Sequence, residues 1–208
     1  MRFANRTQAG EALASHLRTS GITAQVVIGL ARGGVAIAAP IAKSFGSPVD
    51  VLVVKKIPSV YNPELAIGAL APDDVSVIYW RNAHKEGADE AYVHAKKEEL
   101  QQLIHQKSIA FHKGKKPLDV RGKNVVVTDD GAATGATMEV AIRWLKAKKA
   151  KKIIVALPVA PPEVIARIRP EVADVVVLHE ASDLASVGDY YEDFVQVTDA
   201  EVLSLLHP

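Results

Sequence analysis

Short apolar runs that alternate with segments of helical periodicity predict an α/β fold with a mainly parallel central sheet flanked by helices. The runs are rich in β-branched residues and almost continuously apolar, which indicates strands buried on both faces of a sheet. The predicted strands are Gln25–Leu30, Val49–Ile57, Ala66–Leu70, Val75–Trp80, Asn124–Asp129, Lys152–Pro158 and Ala173–Glu180.

Three different signals predict helices between and after these strands. Apolar residues follow Gly135 at the i, i+3, i+4 and i+7 positions of one helical face, namely Met138, Ala141, Ile142 and Leu145. Residues 160–168 begin with prolines, which the first turn of a helix tolerates. Thr198 and Glu201 have the spacing of a capping box and predict a last short helix.

Two regions interrupt the alternation of strands and helices. Ile57–Leu70 is predicted to form a hairpin-like excursion, with IPSVYNPE as its loop. His84–Lys116 is long, charged and helix-forming, and is expected to pack across the molecule or against a second subunit. Its scattered histidines, His94, His105 and His112, are interpreted as surface or hydrogen-bonded residues rather than metal ligands.

Composition excludes several classes of protein. The 208 residues suffice for one domain, spanning 1–208, with a sizeable core. A formal net charge of +1 gives no sign of a nucleic-acid or membrane partner. Because the chain has no cysteine, disulfides, Cys-ligated zinc and thiol catalysis are excluded. The charged N-terminal segment is unlike a signal peptide, and no apolar window has membrane-spanning length, so a soluble cytoplasmic protein is expected.

The most informative stretch is VVVTDDGAATGAT, Val125–Thr137. A strand that ends in small residues and turns directly into a helix presents unpaired backbone N–H groups, which bind anions. The loop is not a Walker A motif, because no lysine precedes Thr137, and it has no GxGxxG dinucleotide-binding fingerprint. A site for phosphate alone would avoid the two carboxylates of Asp129 and Asp130, so the pair needs a separate explanation.

These residues resemble the phosphoribosyl diphosphate signature of the type I phosphoribosyltransferases. Three more segments resemble that family in the right order: GLARGG at Gly29–Gly34, VVKKIPSVYNPELAIGAL at Val53–Leu70, and SVGDYYEDF at Ser186–Phe194. The combined pattern is most similar to an uncharacterised branch of the family. The resemblance implies the type I phosphoribosyltransferase fold, with a small hood subdomain formed by about residues 158–208 and the N-terminal segment.

The resemblance also implies roles for the acidic pair and its loop. The 5-phosphate would be held by the loop residues Gly131, Ala132, Ala133, Thr134, Gly135, Ala136 and Thr137. Asp129 and Asp130 would face the ribose hydroxyls as catalytic residues and stabilise the positive charge that develops on the sugar. The alternative is that both aspartates only cap the following turn.

A second loop is implied for the diphosphate, which would be bound by Ala31, Arg32, Gly33 and Gly34 together with Mg²⁺. The family often has a non-proline cis peptide in this loop, so one is expected between Ala31 and Arg32. Lys55 and Lys56 end a strand, where adjacent side chains point to opposite faces, so one of them should face the site; Lys56 is favoured.

The acceptor side is less well defined. Oxopurine enzymes of the family carry an aspartate base where this chain has Ala133, so the loop is closer to the adenine type, although the N-terminal half is not. Glu64 is a candidate general acid or base, or else a solvated loop residue. Tyr190 and Tyr191 are candidates to stack on a base or to lie in the core. Glu192 aligns loosely with a metal-binding acid.

The resulting hypothesis is a Mg²⁺-dependent transferase of nucleotide metabolism. It would transfer ribose 5-phosphate from phosphoribosyl diphosphate to a nitrogenous acceptor, release diphosphate, and act as a homodimer. The alternative is a regulator that senses phosphoribosyl diphosphate without transfer. A receiver-type phosphotransfer domain explains the acidic pair but not the TGAT sequence.

Overall fold

The structure is a computed structural model that describes residues 2–207. Its helices are α1 (Arg6–Thr19), α2 (Gly33–Phe45), α3 (Trp80–Lys85), α4 (Glu90–His112), α5 (Ala136–Ala147), α6 (Pro162–Ile168) and α7 (Asp199–Leu206). Its strands are β1 (Val26–Leu30), β2 (Val49–Leu52), β3 (Lys55–Pro58), β4 (Ala66–Leu70), β5 (Ser76–Ile78), β6 (Asn124–Thr128), β7 (Lys152–Ala160) and β8 (Asp174–Glu180).

The central sheet has five parallel strands in the order β2-β1-β6-β7-β8. Helices α1 and α2 cover one face, where Leu13 and Ile37 pack with Val126. Helices α5 and α6 cover the other face, where Leu145 packs with Val127. The predicted α/β class is therefore confirmed, and burial on both faces is confirmed for the central strands β1, β6 and β7 but not for the edge strand β8.

The predicted strand Val49–Ile57 is wrong as a single element. It divides into β2 and β3 at Val53 and Val54, which are buried but lie outside any strand. Strand β3 leaves the central sheet and pairs with β4, which pairs in turn with β5, in a separate three-stranded antiparallel sheet. Continuous apolar sequence hid the break, because both residues remain buried where the chain changes sheets. The predicted hairpin between Ile57 and Leu70 is confirmed.

Helix α4 crosses the molecule and packs against β2, β3, β4 and α7. Its N-cap residue is Asp89, whose side chain accepts a hydrogen bond from the Tyr92 N–H. His112, near its end, is buried and lies 2.8 Å from Asp50, as expected of a hydrogen-bonded histidine. His94 and His105 are exposed. Contact with a second subunit remains a prediction.

Strands β1 and β6 are neighbours, so the loops that follow them emerge side by side. The N-terminal residues run beside the segment that follows β8: Phe3 forms a parallel bridge with Tyr191, and the Glu192 N–H donates to the Phe3 carbonyl at 2.8 Å. The division into core and hood stays a prediction. Within residues 2–207, no helix combines the length and the apolar character needed to cross a bilayer.

Candidate active site

The acidic pair lies immediately after β6. Asp129 and Asp130 are both partly buried, and the Asp130 N–H donates to Asp129 Oδ1 at 2.9 Å. Burial raises the pKa of Asp129 well above its usual range, and the charge of Asp130 raises it further. The positive charge of Lys56 opposes both effects. The surroundings of Asp129 therefore disfavour its ionised form.

The loop after the acids leads directly into α5. The Ala132 N–H is bonded to the Val159 carbonyl at 3.0 Å, which fixes the start of the loop. From Ala133 to Met138, no backbone N–H donates to a partner within residues 2–207. Gly135 has φ +77° and is the N-cap residue of α5. Together with the positive end of the helix dipole, these free amides form the anion cradle that the sequence predicts.

The loop after β1 lies against the acidic pair. The expected non-proline cis peptide between Ala31 and Arg32 is present. A Cβ at Gly33 would collide with the carboxylate of Asp130, and one at Gly34 would lie 2.7 Å from the Thr128 carbonyl oxygen. Glycine is therefore required at both positions, and the two loops form one continuous site.

Arg6 completes the site, and sequence reasoning missed it. Its Nε donates to Asp130 Oδ2 at 2.8 Å, and its Nη1 donates to the Val195 carbonyl at 2.8 Å. The guanidinium carbon lies 3.8 Å from the centre of the Phe194 ring. The Arg6 side chain is only 11% exposed, so these contacts fix its position. The sequence contained no signal for this pairing, because the partners are 124 residues apart.

The two candidate base-stacking tyrosines occupy different surroundings. Tyr191 is buried, and its hydroxyl donates to the Asp130 carbonyl at 2.6 Å. Burial, with a further contribution from Asp130, raises the pKa of Tyr191. Its ring stacks on Phe194 with centroids 5.0 Å apart, so Tyr191 supports the acidic loop from the core. Tyr190 is partly buried and packs near His179.

A cavity of about 510 Å³ borders the Ala31–Gly33 loop. We call it the cationic cavity, because four basic side chains line it: Arg6, Arg32, Lys55 and Lys107. Lys55, rather than the favoured Lys56, lines this cavity, although the charge of Lys56 acts on Asp129. Both lysines are therefore placed to influence the site.

One carboxylate bridges two of these cations. Asp199, at the first position of α7, contacts Lys107 and lies 3.4 Å from an Arg32 nitrogen. The hydrogen bond from Lys107 is the main reason that the pKa of Asp199 is lowered. Sequence reasoning also missed Lys107 and Asp199, because α4 and α7 meet the loop only in the folded chain.

The remaining candidates lie at the periphery. Glu64 is exposed in the loop between β3 and β4, and its N–H donates to Asn62 Oδ1 at 3.1 Å. Glu192 is exposed beside Phe3. Neither carboxylate forms an ion pair within residues 2–207, and the structure does not bring either one to Asp129 and Asp130.

Comparison with known families agrees with this geometry. A phosphoribosyl transferase domain model matches residues 4–193, which include both loops and the acidic pair. The chain belongs to this family. Its fold is accordingly the type I phosphoribosyltransferase fold that the resemblance implied.

Individual relatives add detail. A Mycobacterium tuberculosis protein named "Putative phosphoribosyl transferase" is 37% identical over 209 residues, which cover 98% of this chain and 46% of that protein. The chain thus spans about half the length of the curated relatives it matches. The structure of the protein TT1426 from Thermus thermophilus is 36% identical with a TM-score of 0.82, covering 99% of this chain and 98% of that one. A hypothetical protein from Neisseria gonorrhoeae, solved with bound ppGpp, shares the fold at 14% identity and a TM-score of 0.50, covering 99% and 93% of the two chains.

Proposed function

We propose that this chain transfers ribose 5-phosphate from phosphoribosyl diphosphate to a nitrogenous acceptor and releases diphosphate. The observation that carries the proposal is the contact between the two strand-end loops, where Gly33 lies against Asp130. Near this contact lie the two carboxylates, the loop with free backbone amides and the cationic cavity, which Gly33 borders. Those three kinds of group match the three parts of phosphoribosyl diphosphate: a phosphate, a hydroxylated sugar and a diphosphate.

The free amides from Ala133 to Met138 supply the phosphate subsite. Backbone N–H groups at a helix start bind a phosphate without a lysine, which explains why the Walker A lysine is dispensable here. Asp129 and Asp130 supply acceptors for the ribose hydroxyls, and charged acceptors strengthen such hydrogen bonds. Asp130 retains an oxygen for this purpose, because Arg6 engages Oδ2.

The raised pKa of Asp129 is important for the chemistry. In the proposed reaction, the bond between ribose C1 and the diphosphate oxygen breaks, and its electron pair leaves with diphosphate. The acceptor nitrogen donates its lone pair to C1 and loses its proton. Positive charge on the sugar in the transition state would stabilise the ionised form of Asp129, which its surroundings disfavour when no substrate is bound. This interaction is stronger in the transition state than in the ground state, as catalysis requires.

Departure of diphosphate requires positive charge, and the cationic cavity contains Arg32, Lys55 and Lys107. Arg32 and Lys107 share the carboxylate of Asp199, so this pair retains one net positive charge in addition to that of Lys55. Mg²⁺ would find few protein ligands in the same region. Within residues 2–207, no three acidic or histidine side chains converge on one point, so the ion would take most ligands from the substrate and water. Asp129 and Asp130 are the carboxylates at the cleft that could contribute. When bound, Mg²⁺ would neutralise charge on the departing diphosphate.

The proposed acceptor class follows from the absence of a basic side chain at Ala133. Ala133 offers no side chain to deprotonate an oxopurine, and Glu64 is the remaining candidate acid or base, provided that its loop closes over the cleft. A small nitrogenous acceptor other than hypoxanthine or guanine is therefore proposed. Action in the cytoplasm as a homodimer belongs to the same proposal.

A second candidate function is a regulator that binds phosphoribosyl diphosphate without transfer. The specific observation in its favour is that Arg6 already engages one oxygen of Asp130, as a permanent structural ion pair would. The two candidates share the ligand site and differ in turnover.

A diphosphate-release assay separates the two functions. Phosphoribosyl diphosphate and Mg²⁺ would be supplied with a panel of bases and amines. Release that depends on one acceptor, and that Asp130→Asn abolishes while the exposed control Asp183→Asn does not, supports the transferase. Binding without release across the panel supports the regulator. Absence of both binding and release would refute the shared site.

A further inference from the structure

A second cavity, of about 540 Å³, lies along the open edge of β2. We call it the edge cavity. Helix α4 forms one wall through Gln101, Ile104 and Ser108, and residues 115–121 form the opposite wall with Trp144 of α5. Its volume falls within the range of small-molecule sites, about 300–1,000 Å³. None of the residues proposed to bind phosphoribosyl diphosphate lines this cavity.

The lining of the edge cavity includes buried apolar residues and also unpaired polar groups. Ile28, Leu52 and Val120 are each almost fully buried. The Gln101 Oε1 atom is buried without a hydrogen-bond partner within residues 2–207. The main-chain N–H and carbonyl of Val53 also make no hydrogen bond within that range. Buried polar groups without partners cost free energy, so a ligand or water that bonds to them would be favoured.

The state of Val53, which directly follows β2, contrasts with that of Val51 at the open edge of β2. The outward N–H of Val51 donates to Asp50 Oδ1 at 2.8 Å, and Asp50 Oδ2 accepts from the Leu118 N–H at 2.7 Å. The chain thus supplies its own partner at Val51 but not at Val53. Val53 itself lines the edge cavity.

The rim of the edge cavity is positive. Lys115, Lys116 and Arg121 are exposed, line the cavity and form no ion pair within residues 2–207. Lys148 is also present, but Asp73 neutralises it at 2.9 Å. Asp119 is the remaining exposed carboxylate of the rim. Its single negative charge balances one of the three unpaired cations, so the rim keeps a net positive charge.

From these observations we infer that the edge cavity is a second small-molecule site, for a flat apolar molecule that carries an anionic group and a hydrogen-bond donor. The apolar body would lie on Ile28, Leu52 and Trp144. The anionic group would face Lys115 and Lys116. The donor would bond to Gln101 Oε1 or to the Val53 carbonyl.

Binding at such a site would affect binding in the cationic cavity, because Val53 lines both cavities. Helix α4 is also shared: Ile104 and Ser108 face the edge cavity, whereas Lys107 and Phe111 face the cationic cavity. A ligand that displaces α4 or Val53 would change the affinity of the cationic cavity for diphosphate. This coupling rests on the proposed function, whereas binding in the edge cavity does not.

The site can be tested with 8-anilinonaphthalene-1-sulfonate, a fluorescent aromatic anion, as the probe. The chain has two tryptophans, so Trp80→Phe leaves Trp144 in the cavity wall as the sole energy donor. We expect saturable binding with energy transfer from Trp144. Lys115→Ala with Lys116→Ala should weaken binding about fivefold or more, as expected for loss of two partly solvated charge contacts. Lys43→Ala with Lys85→Ala, which removes two exposed lysines elsewhere, should leave binding unchanged.

A filling variant provides an independent check. Ser108→Phe places a ring in the cavity and should abolish probe binding while circular dichroism shows a folded chain. If this variant does not fold, the effect of the Lys115→Ala and Lys116→Ala double substitution on probe binding tests the site. Binding that survives both changes, or that occurs without transfer from Trp144, would overturn the inference. So would binding that weakens as protein concentration rises, since a second copy of the chain would then cover the cavity.

The coupling has its own measurement. The affinity for inorganic diphosphate would be titrated with and without saturating probe, and the affinity for the probe with and without diphosphate. Linkage requires the same fold-change in both directions. No change in either titration would overturn the coupling, and failure of diphosphate to bind at all would count against the proposed function instead.

Discussion

Replacing Arg6 with alanine removes the side chain that joins the first helix to the acidic pair and to the C-terminal segment. Three contacts disappear together: the ion pair with Asp130, the hydrogen bond to the Val195 carbonyl and the stacking over Phe194. A hydrogen bond to a charged group contributes about 1.5–3 kcal/mol, and a cation–π contact about 0.5–2 kcal/mol.

Because the three contacts share one side chain, their contributions do not add fully, and the free energy of unfolding should fall by about 2–4 kcal/mol. For a chain of this size each kcal/mol corresponds to about 2–4 °C, so Tm should fall by about 4–16 °C. Asp130 would also lose the partner that orients it, and affinity for phosphoribosyl diphosphate should fall about tenfold, the equivalent of one such contact.

Thermal unfolding followed by circular dichroism measures the first effect, and calorimetric titration of phosphoribosyl diphosphate with Mg²⁺ measures the second. Arg18→Ala is the matched control: Arg18 lies on the same helix and is exposed, and within residues 2–207 its guanidinium donates only to Ser44. Its Tm should change by less than about 4 °C, the equivalent of a surface contact. Equal losses in the two variants would refute the role of Arg6, and tighter ligand binding by Arg6→Ala would show that Arg6 blocks Asp130 instead of orienting it.

Three further predictions concern individual contacts. Asp129→Asn should abolish diphosphate release yet raise Tm near neutral pH. The pKa of Asp129 is raised in the folded chain, so the contribution of Asp129 to stability is present below about pH 3.9 and is lost as pH rises through its folded pKa. A lower Tm or undiminished release would contradict this. Gly33→Ala should eliminate the increase in Tm caused by phosphoribosyl diphosphate, because its Cβ would displace Asp130, whereas Gly21→Ala, at a positive φ in open space, should cost about 1 kcal/mol and keep the ligand response. The hydrogen bond that His112 donates to Asp50 raises the pKa of His112. The stability from this pair is therefore present below about pH 6.5 and is lost as pH rises through the folded pKa of His112. Urea unfolding between about pH 6 and pH 9 should show a smaller loss of stability for Asp50→Asn than for the parent chain. An identical pH dependence in both proteins would exclude the pair as its source.

The main-chain architecture of the site was predictable from local sequence. An apolar strand, two acids and small residues before a helical pattern suffice to place Asp129 and the amides that follow, because each signal acts within a few residues. The cis peptide at Ala31–Arg32 came from the resemblance, since local sequence does not distinguish the two isomers there.

The side chains that complete the site were not predictable in this way. Arg6, Lys107 and Asp199 reach the cleft from three helices, and their partners lie 92 to 167 residues away along the chain. Each has the character of an ordinary surface residue until the fold is known. The break at Val53 escaped detection for a related reason, since apolar character reports burial and does not show which sheet a residue joins.

The central claim is that one cleft binds the phosphate on backbone amides and the sugar on paired aspartates. A crystal structure of the chain grown with phosphoribosyl diphosphate and Mg²⁺ tests it most directly. We predict the 5-phosphate on the N–H groups of residues 133–137, with the ribose hydroxyls at hydrogen-bonding distance, about 2.6–3.2 Å, from Asp129 and Asp130. A phosphate bound elsewhere, or a sugar that contacts neither aspartate, would contradict the account.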